Sequence, residues 1–170
     1  ALDRAQQRAA HMSADRIGEH HMRHDSSAEE AVDAVAGAVE ELVRQHDIQF
    51  GDVVSVEVAV QESCHKRESK SFDPSEGTPQ VKAQFSIDYC VAAAILWRDV
   101  FIRQMQEECI LDPRVRTLTS RIKVVRNKDS GLTQYLPVRI TIKTVRGELF
   151  ETNVTSLKGS PDNPLSWDEV

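Results

Sequence analysis

A chain of 170 residues matches the size of one domain and is long enough to bury a core, and 40% hydrophobic with 28% charged residues excludes general disorder. No run approaches the roughly 20 apolar residues a bilayer crossing needs, so a membrane protein is excluded as well. The 27 acidic against 21 basic side chains leave a formal charge of -6, a field that repels phosphate backbones and excludes nucleic acid as an expected partner.

Three cysteines, Cys64, Cys90 and Cys109, are an odd number at no close spacing, which suggests neither a disulfide framework nor a zinc site. The Ala-rich start carries Asp3, Arg4 and Arg8 where a signal peptide would be apolar. A reduced, cytoplasmic setting is the expectation.

Residues 1–25 differ from the rest, with Ala, Gln and Arg first and then most of the histidines, and without periodicity; they read as a poorly ordered leader, of which residues 1–12 are of uncertain native origin around His11-Met12. The domain proper spans 26–170. Ser26 and Ser27 each have a Glu three residues on, Glu29 and Glu30, which is the reciprocal capping pattern of a helix start. An apolar stripe at Ala28, Ala31, Val32, Val35, Ala36, Val39, Leu42 and Val43 carries this helix to about His46, with Arg44 and His46 suited to its negative end.

Gly51-Asp52 turns the chain into Val54, Val56, Val58 and Val60, alternating with Ser55, Glu57, Ala59 and Gln61 as a strand with one buried face. Residues 62–77, with Pro74 and Gly77, read as a long loop. Thr78-Pro79 starts a helix whose run to Trp97 is apolar enough to be buried on most sides and breaks near Ser86. A helix over roughly 99–109 follows, and Asp112-Pro113 caps another through Val115 and Leu118. Ile122-Lys123-Val124, the alternating Val138, Ile140, Ile142, and Leu149 to Val154, with Arg146-Gly147 between the last two, predict a strand and a hairpin. The predicted fold is α+β: a mostly antiparallel sheet of about four strands with helices packed on one face. The turn residues from Lys158 to Pro164 predict an exposed, irregular tail.

Three features could carry chemistry. His20 and His24 would share a face if helical, and with His21 could approach a divalent metal, but no third ligand is fixed and an exposed polar stretch explains the same spacing. Cys64-His65 beside Lys66 and Arg67 could lower a thiol pKa, although a small residue buried at a strand end explains it equally. Phosphate loops and nucleophile elbows are absent, and no cofactor or metal is indicated. Tyr89 is the informative residue, because a phenol in an apolar helix must find a hydrogen-bond partner or face a cavity.

The run TPQVKAQFSIDYCVAAAIL from Thr78, then LDPRV at 111–115, IKVV at 122–125, VRITIKTVRGELF at 138–150 and KGSPDNPLSWDE at 158–169, resembles the C-terminal domain of the MmgE/PrpD family in block order. That family includes 2-methylcitrate dehydratase, cis-aconitate decarboxylase and iminodisuccinate epimerase. The resemblance, over about residues 26–169, implies a smaller α+β lid that closes on an all-helical domain, with the active site in the cleft between them. It implies a small polycarboxylate as ligand and a helical domain as partner. The Tyr of the family's Phe-Ser-x-x-Tyr block falls on Tyr89, where it would open onto a cleft beside the 62–79 loop. The family's active-site Lys and His fall near His20 and Glu29, and neither residue matches. His20 is the weaker of the two catalytic candidates, since an imidazole replaces the ammonium only in part.

Two functions follow as expectations: a lid-type domain of a lyase or isomerase, inactive without its helical partner, or a non-catalytic binding or assembly module that keeps the fold. An apolar patch with Trp97, Phe101 and Met105 as contributors would favour a homo-oligomer.

Overall fold

The computed structural model describes residues 26–67, 71–75, 77–128, 136–157, 160, 161 and 164. Residues Ser26–Thr155 form one compact unit. Of the other unit's tail, a turn is described in which Ser160 N donates to Leu157 O at 3.1 Å.

The first helix, α1 (Ser26–Gln45), buries Ala31, Val32, Val35, Ala36, Val39, Leu42 and Val43, the predicted stripe, together with Ala34. A tight turn at Phe50–Asp52 follows, in which Asp52 Oδ2 accepts from Gln49 N at 2.9 Å. Strand β1 (Val53–Val60) then points Val56, Val58 and Val60 into the core. Val54 departs from the predicted alternation and is 44% exposed, because a bulge between Val53 and Ser55 turns Val53 inward in its place.

The segment read as a long loop begins with a short helix, α2 (Glu62–Arg67). After it, α3 (Pro79–Gln84) and α4 (Ile87–Trp97) replace one continuous helix, and the break lies at Ser86 as expected. Thr78 occupies the cap position of α3 without a side-chain bond, so Pro79 in the first turn does the starting. Residues 99–106 are not helical. Arg98, at φ 53°, ends α4 in the left-handed region, and successive tight turns follow: Gln104 N to Phe101 O, Met105 N to Ile102 O and Gln106 N to Arg103 O. Only α5 (Glu107–Ile110) remains of the predicted helix. In α6 (Pro113–Thr119), Asp112 is the cap and accepts from Arg114 N at 2.8 Å.

Strands β2 (Ile122–Arg126), β3 (Val138–Thr144) and β4 (Leu149–Val154) complete a sheet of order β2-β1-β3-β4. The β3/β4 hairpin turns at Gly147, whose φ of +81° is a conformation that glycine adopts without strain. Both β1/β3 and β3/β4 are antiparallel, whereas β1 and β2 are parallel, with Val56 opposite Ile122. A parallel pair needs a long crossover, and α2 to α6 supply it. The result is an α+β fold with a four-stranded, mostly antiparallel sheet. Val138, Ile140 and Ile142 of β3 are fully buried while Arg139 and Lys143 are exposed, so one face of the sheet meets α1 and α4 and the other meets solvent.

The direction of the helices decides what gathers where. Helices α1 and α4 pack along each other, and their carboxyl ends meet: Arg44 Nη2 donates to Arg98 O at 3.0 Å, Glu40 Oε1 accepts from Val100 N at 2.9 Å, and Arg98 pairs with Asp47. They therefore run parallel. His46, just past α1, stacks on Phe150 at 4.4 Å between centroids, which sets the same end of α1 over the hairpin end of the sheet. The start of α1, the carboxyl ends of β1 and β2 and the start of β3 consequently lie toward the opposite end, while α4, with 11 residues against 20 in α1, begins partway along it.

Candidate functional site

Tyr89 stands in the first turn of α4 because Ser86 starts the helix there, its Oγ accepting from Tyr89 N at 3.3 Å. Every residue from Ile87 to Ile95 is buried, so α4 has no solvent face and the orientation of the phenol is fixed by packing on all sides. The Tyr89 ring is 0% exposed. Its hydroxyl donates to the backbone carbonyl of Gln104, and Phe72 lies against the ring at 5.0 Å between centroids with planes inclined by 47°. Gln104 is itself 4% exposed, and its Oε1 accepts from Phe101 N at 3.1 Å, which closes the turn that presents the carbonyl. Burial first, and then the nearby Cys109 and Cys90 thiols, push the phenol well above its ordinary pKa, so Tyr89 is a neutral hydrogen-bond donor.

The expectation that this hydroxyl opens onto a cleft is not met. The 71–75 part of the loop does lie beside Tyr89, as placed, but it covers the ring instead of leaving a gap, and the 101–104 turn takes the hydroxyl. A shallow surface hollow of about 370 Å³ is lined by Gln106, Glu107, Glu108 and Leu111, and not by Tyr89.

The other sequence candidates separate. His20, His21 and His24 lie outside the described residues, and of Glu29 only the backbone, in the first turn of α1, is described. Cys64 is 2% exposed inside α2, with Gln61 Nε2 at 3.8 Å from its sulfur. A sulfur so enclosed cannot meet a substrate, and Lys66 pairs with Glu62 at 3.4 Å. The buried-residue reading of Cys64 therefore holds. Among the described residues no group of three His, Cys, Asp or Glu side chains could hold a metal ion, and no helix is long and apolar enough to cross a membrane.

Trp97, Phe101 and Met105, named as patch contributors, are half-buried, and Trp97 and Met105 pack against the core. Among the described residues the exposed large apolar side chains are Ile102, beside Phe101 in the same turns, and Val54, Val81, Leu111, Val145 and Leu149.

Several buried polar side chains carry no clear mark in the sequence, among them Asp88, Gln61 and Gln104. Asp88 (4% exposed) sits in the first turn of α4, where a carboxylate suits the positive helix end; its place two residues after the Ser86 cap was the available signal. Gln61, 2% exposed at the carboxyl end of β1, has an Oε1 without a hydrogen-bond partner. Gln104 carried no signal, since its burial depends on the turn closing over α4.

A comparison with curated proteins gave no match. The sequence profile described as the MmgE/PrpD C-terminal domain, in contrast, matches residues 21–170, which covers all the described elements and the Phe85-Ser86-x-x-Tyr89 block. With most of its length matched in this way, the chain belongs to the MmgE/PrpD family, as that family's C-terminal domain.

Proposed function

We propose that this domain is the lid-side wall of a MmgE/PrpD-type active-site cleft, acting on a small polycarboxylic acid together with a helical domain that supplies the opposite wall. The observation that carries the reading is the family match over residues 21–170. Support comes from Tyr89 itself, which the Ser86 cap places in the first turn of α4, within the Phe85-Ser86-x-x-Tyr89 block that resembles the family's. The chemistry is lyase or isomerase chemistry on carboxylic acids in the cytoplasm, a setting in which Cys64, Cys90 and Cys109 remain free thiols. One wall alone supplies neither paired acid and base groups nor exclusion of water, so the domain alone is inactive.

A second reading, a non-catalytic binding or assembly module, is favoured by one observation: Tyr89 is enclosed, its hydroxyl already bound to Gln104. The experiment is to assay dehydration or decarboxylation of citrate-like and aconitate-like acids by the 170 residues alone and after adding a helical domain from the family. Turnover only in the mixture supports the first reading. Turnover by the domain alone refutes the need for a second wall, and none in either favours the module.

A further inference from the structure

We infer that Phe72 and Gln104 are positioning residues that latch Tyr89 in a stored position, and that the Gln104 carbonyl occupies the place of a ligand oxygen on the Tyr89 hydroxyl. This rests on the reading of Tyr89 as the cleft residue. The backbone of Tyr89 is immobile, because α4 is buried all round and Ser86 fixes its first turn. What covers the side chain is of another kind. Neither Phe72 nor Gln104 belongs to the sheet or to α1, the elements that form the permanent core; both lie in irregular segments.

The 71–75 turn is braced on itself, Asp73 Oδ1 accepting from Ser75 N at 2.9 Å and from Ser75 Oγ at 2.7 Å. Ser71, Asp73 and Ser75 are exposed, and Phe72 and Pro74 alone are half-buried. Phe72 thus reaches the core from a small preformed unit that can withdraw without unfolding anything else. Asp73 is exposed, and its bonds from Ser75 hold its carboxyl below the usual carboxylate range, so the turn is fastened within itself.

The second half of the latch is chemical. The hydroxyl donates its hydrogen bond to a neutral carbonyl oxygen, and a ligand carboxylate offers the same acceptor geometry with a full negative charge, a stronger partner for the same donor. Opening is therefore an exchange of acceptors. The Gln104 side chain controls it, because its Oε1 bond to Phe101 N aims its own carbonyl at Tyr89.

The test is nitration of Tyr89 by tetranitromethane, followed by peptide mass mapping, in the wild type and in F72A, F72L, Q104L and Q104E. Wild-type Tyr89 is expected to react far more slowly than N-acetyltyrosine amide. F72A and Q104L should speed its nitration about tenfold or more, the effect of losing roughly one hydrogen bond's worth of protection. F72L, which refills the gap, and Q104E, whose carboxylate still accepts from Phe101 N, should stay near the wild type. Wild-type nitration at the rate of N-acetyltyrosine amide, or no acceleration in variants that retain their circular dichroism, overturns the latch. Should F72A fail to fold, hydrogen exchange of the wild type decides: the buried Gln104 N–H, bonded to Phe101 O at 2.9 Å, must exchange through an opening that leaves Ile87–Trp97 protected, and equal protection of both overturns the proposal. Titration with citrate and cis-aconitate separates the two readings. Accelerated nitration without binding of either acid by wild type or F72A keeps the closed latch and removes the ligand role of Tyr89, overturning the acceptor exchange. Binding that is tighter in F72A supports the whole.

Discussion

Removing a single oxygen, in Tyr89→Phe, tests the description of the core most directly. The ring stays, so the packing against Phe72 and the surrounding helix is preserved, and what changes is the bond from the hydroxyl to Gln104 O. That carbonyl belongs to a residue 4% exposed, and leaving a buried acceptor without its donor costs about 1–3 kcal/mol. For a domain of this size each kcal/mol lowers Tm by about 2–4 °C, so a loss of about 2 kcal/mol appears as roughly 4–8 °C in a thermal melt followed by circular dichroism. Tyr89→Ala also loses the ring and should cost about 3–5 kcal/mol. The effect of Tyr89→Phe depends on pH in a defined direction. Burial raises the folded phenol pKa, so the hydroxyl contributes fully below the unfolded value of about 10 and its contribution is lost as pH climbs above that. The gap in stability between wild type and Tyr89→Phe should therefore be constant from about pH 6 to 9 and narrow above about pH 10. A Tm unchanged within about 1 °C at pH 7 would mean that the hydroxyl is not enclosed, and the argument from burial would fail.

Three further outcomes are expected. Arg114, bonded to the Asp112 carboxylate, holds its pKa below the usual range; the charge stabilises the fold above about pH 4 and ceases to as pH falls through the lower folded value, so the Tm advantage of wild type over Asp112→Asn should shrink in acid, and an advantage independent of pH would refute the pairing. Gln61→Met removes a buried acceptor that has no partner, and should raise stability by about 1 kcal/mol in urea titration, with a clear loss as the contrary result. The bulge predicts unequal valines on one strand: Val56→Ala should cost about 1–3 kcal/mol and Val54→Ser stay within about 0.5 kcal/mol, and comparable losses at both would contradict the register of β1.

The parts legible in the residues are those decided by near neighbours along the chain. The stripe of α1 is a matter of spacings of three and four, the cap at Asp112 is a bond made within two residues, and the hairpin turn needs a glycine at 147. The same holds for the block order that marks the family. Each of these survives without knowledge of what packs on it.

Tertiary structure decided the rest. Whether β2 joins β1 parallel or antiparallel depends on the path of the helices between them, and the bulge that turns Val54 outward is a mismatch between β1 and β3 that neither strand shows alone. Residues 99–106 have enough apolar side chains for a helix, yet they turn tightly because Arg98 stops α4 against Asp47 and because Gln104 must meet Tyr89. The environment of Tyr89 is the extreme case. Its hydroxyl required a partner on any reading of the sequence, but a carbonyl 15 residues away and a ring from a separate loop became that partner and its cover only when the chain folded, since closing those distances needs the whole helical layer in place.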